Sequence, residues 1–215
     1  MTMPAPPRGR FVSLDGPDGG GKTTQVARLV DWLRGRGFDV VACRDPGGTP
    51  LGDRLRSILL DRDEVEPCLR AEMLLYMASR AQLVDRVIRP ALELGQVVVS
   101  DRYLLANLAY QGYAGGLPVA EVLDVGLAAT GGLMPHLTIV LDVPIDVARA
   151  RVGQSRDRME DRPDSYRELV RSGFAEAARH YPAPIRIIDA TGDPDSVAHQ
   201  IRTEVAHALA FDSRA

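Results

Sequence analysis

Apolar residues along the chain fall into short solid runs separated by stretches in which they recur every three or four positions. Phe11 to Leu14, Val40 to Cys43, Val97 to Val99, Leu137 to Leu141 and Ile185 to Ile188 are runs of strand length. Between the first two runs, Val26, Leu29, Val30 and Leu33 mark one face of a helix, which Gly35 and Gly37 end. A long helical stretch runs from about Arg70 to Leu94, with Met73, Met77, Val84 and Ile88 as its buried stripe and Pro90 as a kink or restart. Another covers about Ala106 to Thr130, interrupted near Gly112 to Pro118. Asp193 and Pro194 form an N-cap and first-turn pair for a last helix carrying Val197, Ile201 and Val205. Alternating strands and helices predict a parallel sheet covered on both faces, and the nearly continuous apolar strands agree with burial on both sides. The expected architecture is α/β: three α/β/α layers around a five-stranded parallel sheet. In such sheets ligands bind at the carboxyl ends of the strands. Asp15, Arg44, Asp101 and Asp142 all stand at those ends.

Length and charge narrow this picture. The 215 residues suit one domain, expected over 10–210, with a Pro-rich disordered arm at 1–9 and a flexible terminus at 211–215. The arm lacks the apolar segment of a signal peptide. A net charge of -3 gives no global basic field, so no nucleic-acid partner is expected. No apolar run approaches membrane-spanning length, so no membrane partner is expected either. Two cysteines, Cys43 and Cys68, fit a reducing cytoplasm better than a disulfide framework. The four histidines show no zinc spacing.

Gly16-Pro17-Asp18-Gly19-Gly20-Gly21-Lys22-Thr23 matches the phosphate-binding pattern G-x-x-x-x-G-K-[ST], with a strand before it and an amphipathic helix after it. Glycines let several backbone N–H groups converge on one phosphate, and the helix start adds its positive dipole end. Lys22 should reach the β- and γ-phosphates of ATP, and the Thr23 hydroxyl should ligate Mg²⁺. The fold expected is therefore that of a P-loop NTPase. No N-K-x-D guanine motif is present, and about 200 residues leave little room for motor machinery, so a small-molecule kinase is favoured. A phosphorylated acceptor needs a second set of cations; Arg44, Arg80 and Arg102 are the candidates.

Taken together, the P-loop through Thr24, Arg44-Asp45-Pro46-Gly47-Gly48-Thr49, Leu55 to Leu60, Ala71-Glu72-Met73-Leu74-Leu75-Tyr76 running to Arg80, Asp101-Arg102-Tyr103 and Ala109-Tyr110-Gln111-Gly112 resemble bacterial-type thymidylate (dTMP) kinases, from about Arg10 to Leu209. The resemblance implies transfer of the γ-phosphate of ATP to dTMP, with Mg²⁺, by a cytoplasmic homodimer. It implies that Gly16 to Thr24 and Arg151 bind ATP, and that Thr23 and Asp101 lie at the metal. Arg102 would hold the acceptor phosphate and Arg44 would clamp both phosphates. Asp18, a carboxylate oddly placed among phosphates, would face the sugar 3′-hydroxyl. Tyr76 would stack on the base, Arg80 face its O4 and Asn107 its edge, while Tyr110 would crowd a ribose 2′-hydroxyl. Arg56 and Gln111 complete the implied substrate set. Ala106 departs from the Ser frequent in relatives. Gly19 and Gly20 leave the P-loop without a basic residue, so catalytic charge is expected from a lid at about 149–162, chiefly Arg156 and Arg158. Two other readings stand beside this one: another nucleotide or metabolite kinase on the same frame, and a nucleotide-binding regulatory module without transfer activity.

Overall fold

A computed structural model describes residues 9–61, 66–151 and 162–209. Five strands form one parallel sheet: β1 (Arg10–Asp15), β2 (Val40–Arg44), β3 (Val97–Asp101), β4 (Leu137–Asp142) and β5 (Ile185–Asp189). Their spatial order is β2-β3-β1-β4-β5. All five expected runs are strands, each longer by one or two residues. The chain first builds the sheet to one side of β1 and then to the other, so the loops leaving β1 and β4 diverge and a crevice opens above them. Register sets its floor: Leu14 pairs with Asp101, and Arg44 also pairs with Asp101, which brings the ends of β1, β2 and β3 level.

Alternate strand residues feed two cores. Val12, Leu14, Val97, Val99, Ile139 and Leu141 pack on the side of α1 (Lys22–Arg34) and α9 (Pro194–Ala208). Phe11, Val98 and Val140 face the other side, together with Met73 and Met77. Tyr103 meets Phe11 edge-to-face there, with ring centroids 5.0 Å apart. The layers are α/β/α, as the alternation implied.

The long helical stretch is divided. α3 (Leu69–Leu83) passes through a π-helical turn, Val84–Ile88, into α4 (Arg89–Glu93). The break precedes Pro90, whose ring cannot donate to the carbonyl of residue 86 and would clash with it. The widened turn absorbs that conflict, and Arg89 N–H bonds back five residues to Val84. The next stretch also changes form: α5 (Leu104–Asn107) opens into a π-helical segment, Leu108–Ala114, before α6 (Val119–Thr130).

Two helices were not expected. α2 (Pro50–Leu60) starts at Thr49, whose hydroxyl accepts from Gly52 N at 2.9 Å. α8 (Asp164–Ala177) follows α7 (Ile145–Arg151) and buries Val170, Gly173, Phe174 and Ala177, an i, i+3, i+4, i+7 set. α8 lies tight against the π-helical segment: a Cβ on Gly173 would stand 2.9 Å from Tyr113 Cβ and 3.2 Å from Ala109 Cα. Replacing Gly173 by Val is expected to force the two helices apart and destabilise the protein by about 1–3 kcal/mol. Thermal unfolding measures this directly; an unchanged melting temperature would contradict so close a packing.

Candidate active site

A cleft of about 1010 Å³ lies over the carboxyl ends of β1, β2 and β3. One wall is the loop from Asp18 to Gly21 with the first turn of α1; the other carries Tyr76, Arg80, Asn107 and Gln111; Arg44, Arg56, Asp101 and Arg102 lie between. Arg151, Ala190, Gly192, Pro194 and Val197 close the end above α9.

The loop's shape depends on glycine at two tight points. Gly16 has φ +130°, and a Cβ there would stand 2.4 Å from Leu141 O; Gly19 has φ +79°, and its Cβ would stand 2.2 Å from Ala148 O. Both obstacles are backbone and cannot yield. The curl that results turns Pro17 O inward, where Lys22 Nζ donates to it at 2.7 Å. Thr23 Oγ1 donates to Asp101 Oδ2 at 2.8 Å, so hydroxyl and carboxylate sit together at the mouth of the loop.

Arg102 is the one described non-glycine residue with positive φ, at 71°. Its N–H donates to Leu14 O at 2.9 Å, and Ser100 Oγ donates to its carbonyl at 2.7 Å. So pinned, its guanidinium crosses to the P-loop: Nη1 donates to Gly16 O at 2.8 Å and Nη2 to Asp18 Oδ1. The Tyr110 hydroxyl donates to the other Asp18 oxygen at 2.8 Å. Burial alone would raise the Asp18 carboxyl, but Arg102, Lys22 and the Tyr110 hydrogen bond outweigh it and hold Asp18 below the usual carboxylate range. Burial also depresses Lys22, to about 8, with the Arg102 charge acting in the same direction. A site in which cations are this crowded and desolvated is built to receive anions.

Arg80 is 1% exposed and donates through Nε to Asp45, and at 3.3 Å to Tyr103 O. Glu72, Tyr76 and Arg80 recur every four residues along α3, so they present one face. Arg44 Nη2 donates to Asp53 at 3.2 Å, and Arg56 Nη1 to Pro46 O at 3.0 Å. Arg151 holds the turn after β5 by donating to Ala190 O at 2.8 Å and Thr191 O at 3.1 Å.

Among the described residues, Asp18 to Thr24, Arg44, Arg56, Tyr76, Arg80, Asp101, Arg102, Asn107, Tyr110, Gln111 and Arg151 all line this cleft. Gly16 and Pro17 shape it from behind. Arg156 and Arg158, and most of the lid segment, lie outside the described residues. Asp142, at the end of β4, does not join the cluster of strand-end residues: Arg171 of α8 holds both its oxygens, at 2.7 and 2.8 Å. The sequence reading assigned no role to Asp45, Glu72 or the wall from Ala190 to Val197. Only a buried partner or a tertiary contact reveals these, and no spacing encodes them.

Asp15 ends β1 beneath the P-loop, fully buried. Burial pushes its carboxyl up to about 7, against the Arg102 charge, a backbone hydrogen bond from Tyr103 and the charges of Lys22 and Arg80. A carboxyl raised in the folded state favours folding while protonated, and that contribution is lost as pH climbs through the folded value. The nucleotide-free protein is therefore expected to lose stability relative to Asp15→Asn between about pH 4 and about pH 7. Denaturant unfolding of both proteins at the two ends of that window tests this; a difference independent of pH would contradict it.

Comparison with known proteins bears on this geometry. The thymidylate kinase family model matches residues 14–201. A thymidylate kinase of Syntrophotalea carbinolica is 44% identical over 207 residues, covering 93% of this chain and 96% of the relative. Those of Symbiobacterium thermophilum and Deinococcus radiodurans are 42% and 44% identical, each across 93% of this chain and 94% and 97% of their own. The matched residues 14–201 span every residue that lines the cleft, and the chain belongs to the thymidylate kinase family.

Proposed function

We propose that this protein transfers the γ-phosphate of ATP to the 5′-phosphate of dTMP, giving ADP and dTDP for dTTP synthesis. The observation that carries the reading is the crossing of Arg102 to Gly16 O and Asp18, which sets a second cationic group opposite Lys22 in one cleft. A site for one nucleotide needs a single phosphate cradle. Two facing cradles in about 1010 Å³ suit a donor and a phosphorylated acceptor bound together.

In this reading the loop from Gly16 to Thr24 wraps the donor phosphates, and Lys22 bridges β and γ. Arg151 braces the wall against which the donor's far end rests. Arg102 takes the acceptor phosphate, and Arg44, close to the strand ends, draws the two phosphates together. Tyr76 offers a ring to the base, and Tyr110, tied to Asp18 and Arg102, would crowd a ribose 2′-hydroxyl. Asp18 accepts from the sugar 3′-hydroxyl. The acceptor phosphate is already an anionic nucleophile, so the protein's work is alignment and charge neutralisation. No side chain has to remove a proton.

Thr23 and Asp101 pair a hydroxyl with a carboxylate, a donor set that fits a hard, oxygen-seeking cation such as Mg²⁺. No group of three or more His, Cys, Asp or Glu suited to a metal occurs among the described residues. Thr23 and Asp101 would therefore share the ion with phosphate and water oxygens, and bound there it offsets phosphate charge. The lid about 149–162, with Arg156 and Arg158, closes over the donor in this proposal and supplies the charge that Gly19 and Gly20 do not. One kinase domain spans 10–210.

No described helix is long and apolar enough to cross a membrane. A cytoplasmic setting is the reading that accords with free Cys43 and Cys68. A homodimer is supported by Leu51, Ile58 and Leu74, apolar side chains about half exposed on the adjacent helices α2 and α3.

The assay is release of ADP with ATP, Mg²⁺ and each of dTMP, dUMP, dCMP, dGMP and AMP. Turnover is expected with dTMP above all the others, and Lys22→Ala should lower kcat by about 100-fold or more. Preference for a purine acceptor would move the reading to another nucleotide kinase. ATP binding without any transfer would favour the regulatory module.

A further inference from the structure

The wall of the cleft opposite the P-loop contains a chain of three buried polar side chains that the phosphate chemistry does not use. Glu72, Asn107 and Gln111 are 1%, 2% and 1% exposed. Gln111 Nε2 donates to Glu72 Oε1 at 2.9 Å, and Asn107 Nδ2 donates to Gln111 Oε1 at 2.8 Å. Arg162 Nη2 stands 3.9 Å from the other Glu72 oxygen. Asn107 Oδ1, at the end of the chain, is buried with no hydrogen-bond partner among the described residues, and both Asn107 and Gln111 line the cleft.

The direction of this chain is fixed at its buried end. Glu72 Oε1 accepts here, so Gln111 turns its NH₂ towards Glu72 and its oxygen away. That oxygen only accepts, so Asn107 must turn its NH₂ towards Gln111. Asn107 is left presenting an oxygen, and the reverse arrangement would set two acceptors against each other. An unsatisfied buried acceptor costs about 1–3 kcal/mol, which a ligand N–H at that point recovers. The resemblance already implies Asn107 at the base edge; we propose that Glu72 is a positioning residue which, through Gln111, locks Asn107 with its oxygen towards the cleft and so sustains the preference for a base with a ring N–H. Thymine and uracil carry a hydrogen at N3; cytosine carries a lone pair there and would face Asn107 acceptor to acceptor. Gln111 is then a link within the wall, both of its polar ends engaged, and Asn107 is the atom-level reader.

This inference rests on the kinase reading above. Glu72→Gln keeps the shape but gives residue 72 a hydrogen to donate, which allows the whole chain to reverse. The test is kcat/KM for dTMP, dUMP and dCMP in the wild type and in Glu72→Gln. Arg80 is the same in both proteins, so a change in their dTMP-to-dCMP ratio reads the chain alone. The ratio is expected to fall about tenfold or more in the variant, because polar mismatches are strongly discriminated only when one side cannot adapt. Equal losses for both substrates, with the ratio unmoved, would make Glu72 a structural residue and overturn the inference while leaving the kinase reading intact. If the variant does not fold, Gln111→Met, which cuts the link between Glu72 and Asn107, decides: an unmoved dTMP-to-dCMP ratio overturns the inference, and a fall of about tenfold or more supports it. No turnover of any pyrimidine monophosphate by the wild type would overturn the kinase reading and this inference with it.

Discussion

The site depends on one side chain reaching across the sheet. Arg102 leaves β3 with a left-handed backbone that side chains seldom adopt, at a cost of order 1–3 kcal/mol. Hydrogen bonds from Ser100 and to Leu14 hold it there. The return is position: from that conformation the guanidinium touches Gly16 O, Asp18 and Tyr110. Three segments distant in sequence, the P-loop, the end of β3 and the π-helical segment after α5, become one cluster within the cleft. Close packing of α8 against that π-helical segment, with Phe174 edge-on to Tyr110 at 6.1 Å, carries the constraint into the core.

Charge around this cluster is arranged in buried opposition. Asp15, Asp18 and Asp45 are each enclosed beside Lys22, Arg80 or Arg102; burial favours the protonated form of all three, and the strength of each one's partners decides the net direction. Asp15, for which burial outweighs the Arg102 charge and a backbone hydrogen bond from Tyr103, is raised; Asp18, gripped by Arg102 and Tyr110, is lowered. Asp45 meets Arg80 directly and is still raised, because burial outweighs that partner. The result is a cationic cleft whose cations are already fixed by protein carboxylates and carbonyls. In the proposed reaction, incoming phosphates would replace or join those contacts with little reorganisation, which is the condition under which electrostatic stabilisation of phosphoryl transfer is largest.

Much of this was legible along the chain. The five strands stood out because strands buried on both faces are solid apolar runs, and the P-loop because its glycines have a geometric task that no other residue performs. The strand-end residues Arg44, Asp101 and Arg102 could be gathered into one site from the rule that parallel sheets bind at their carboxyl edge. α8 had a readable signature in Val170, Gly173, Phe174 and Ala177, but it follows an Arg-rich stretch that draws attention to charge. α2 was hidden because its buried set is small, Gly52 and Leu59, and Thr49-Pro50 was its main signal. The π-helical turns were not readable, since they shift periodicity by one residue over a single turn. Asp142 misled because a strand-end acid looks the same in sequence whether it faces a ligand or an arginine of its own chain. Glu72, Gln111 and Asn107 needed three-dimensional structure because their meaning lies in the direction of hydrogen bonds.

The central claim is that Arg102 is the preorganised holder of the acceptor's phosphate, and not simply a strut for the P-loop. Calorimetric binding of dTMP and of thymidine, which lacks the phosphate, to the wild type and to Arg102→Gly separates these roles. Glycine accepts a φ of 71° without strain, so the substitution removes the guanidinium and leaves the backbone conformation available. The account requires dTMP affinity to fall by about 10- to 100-fold while thymidine affinity is little changed. Equal weakening of both ligands, or of neither, would contradict it.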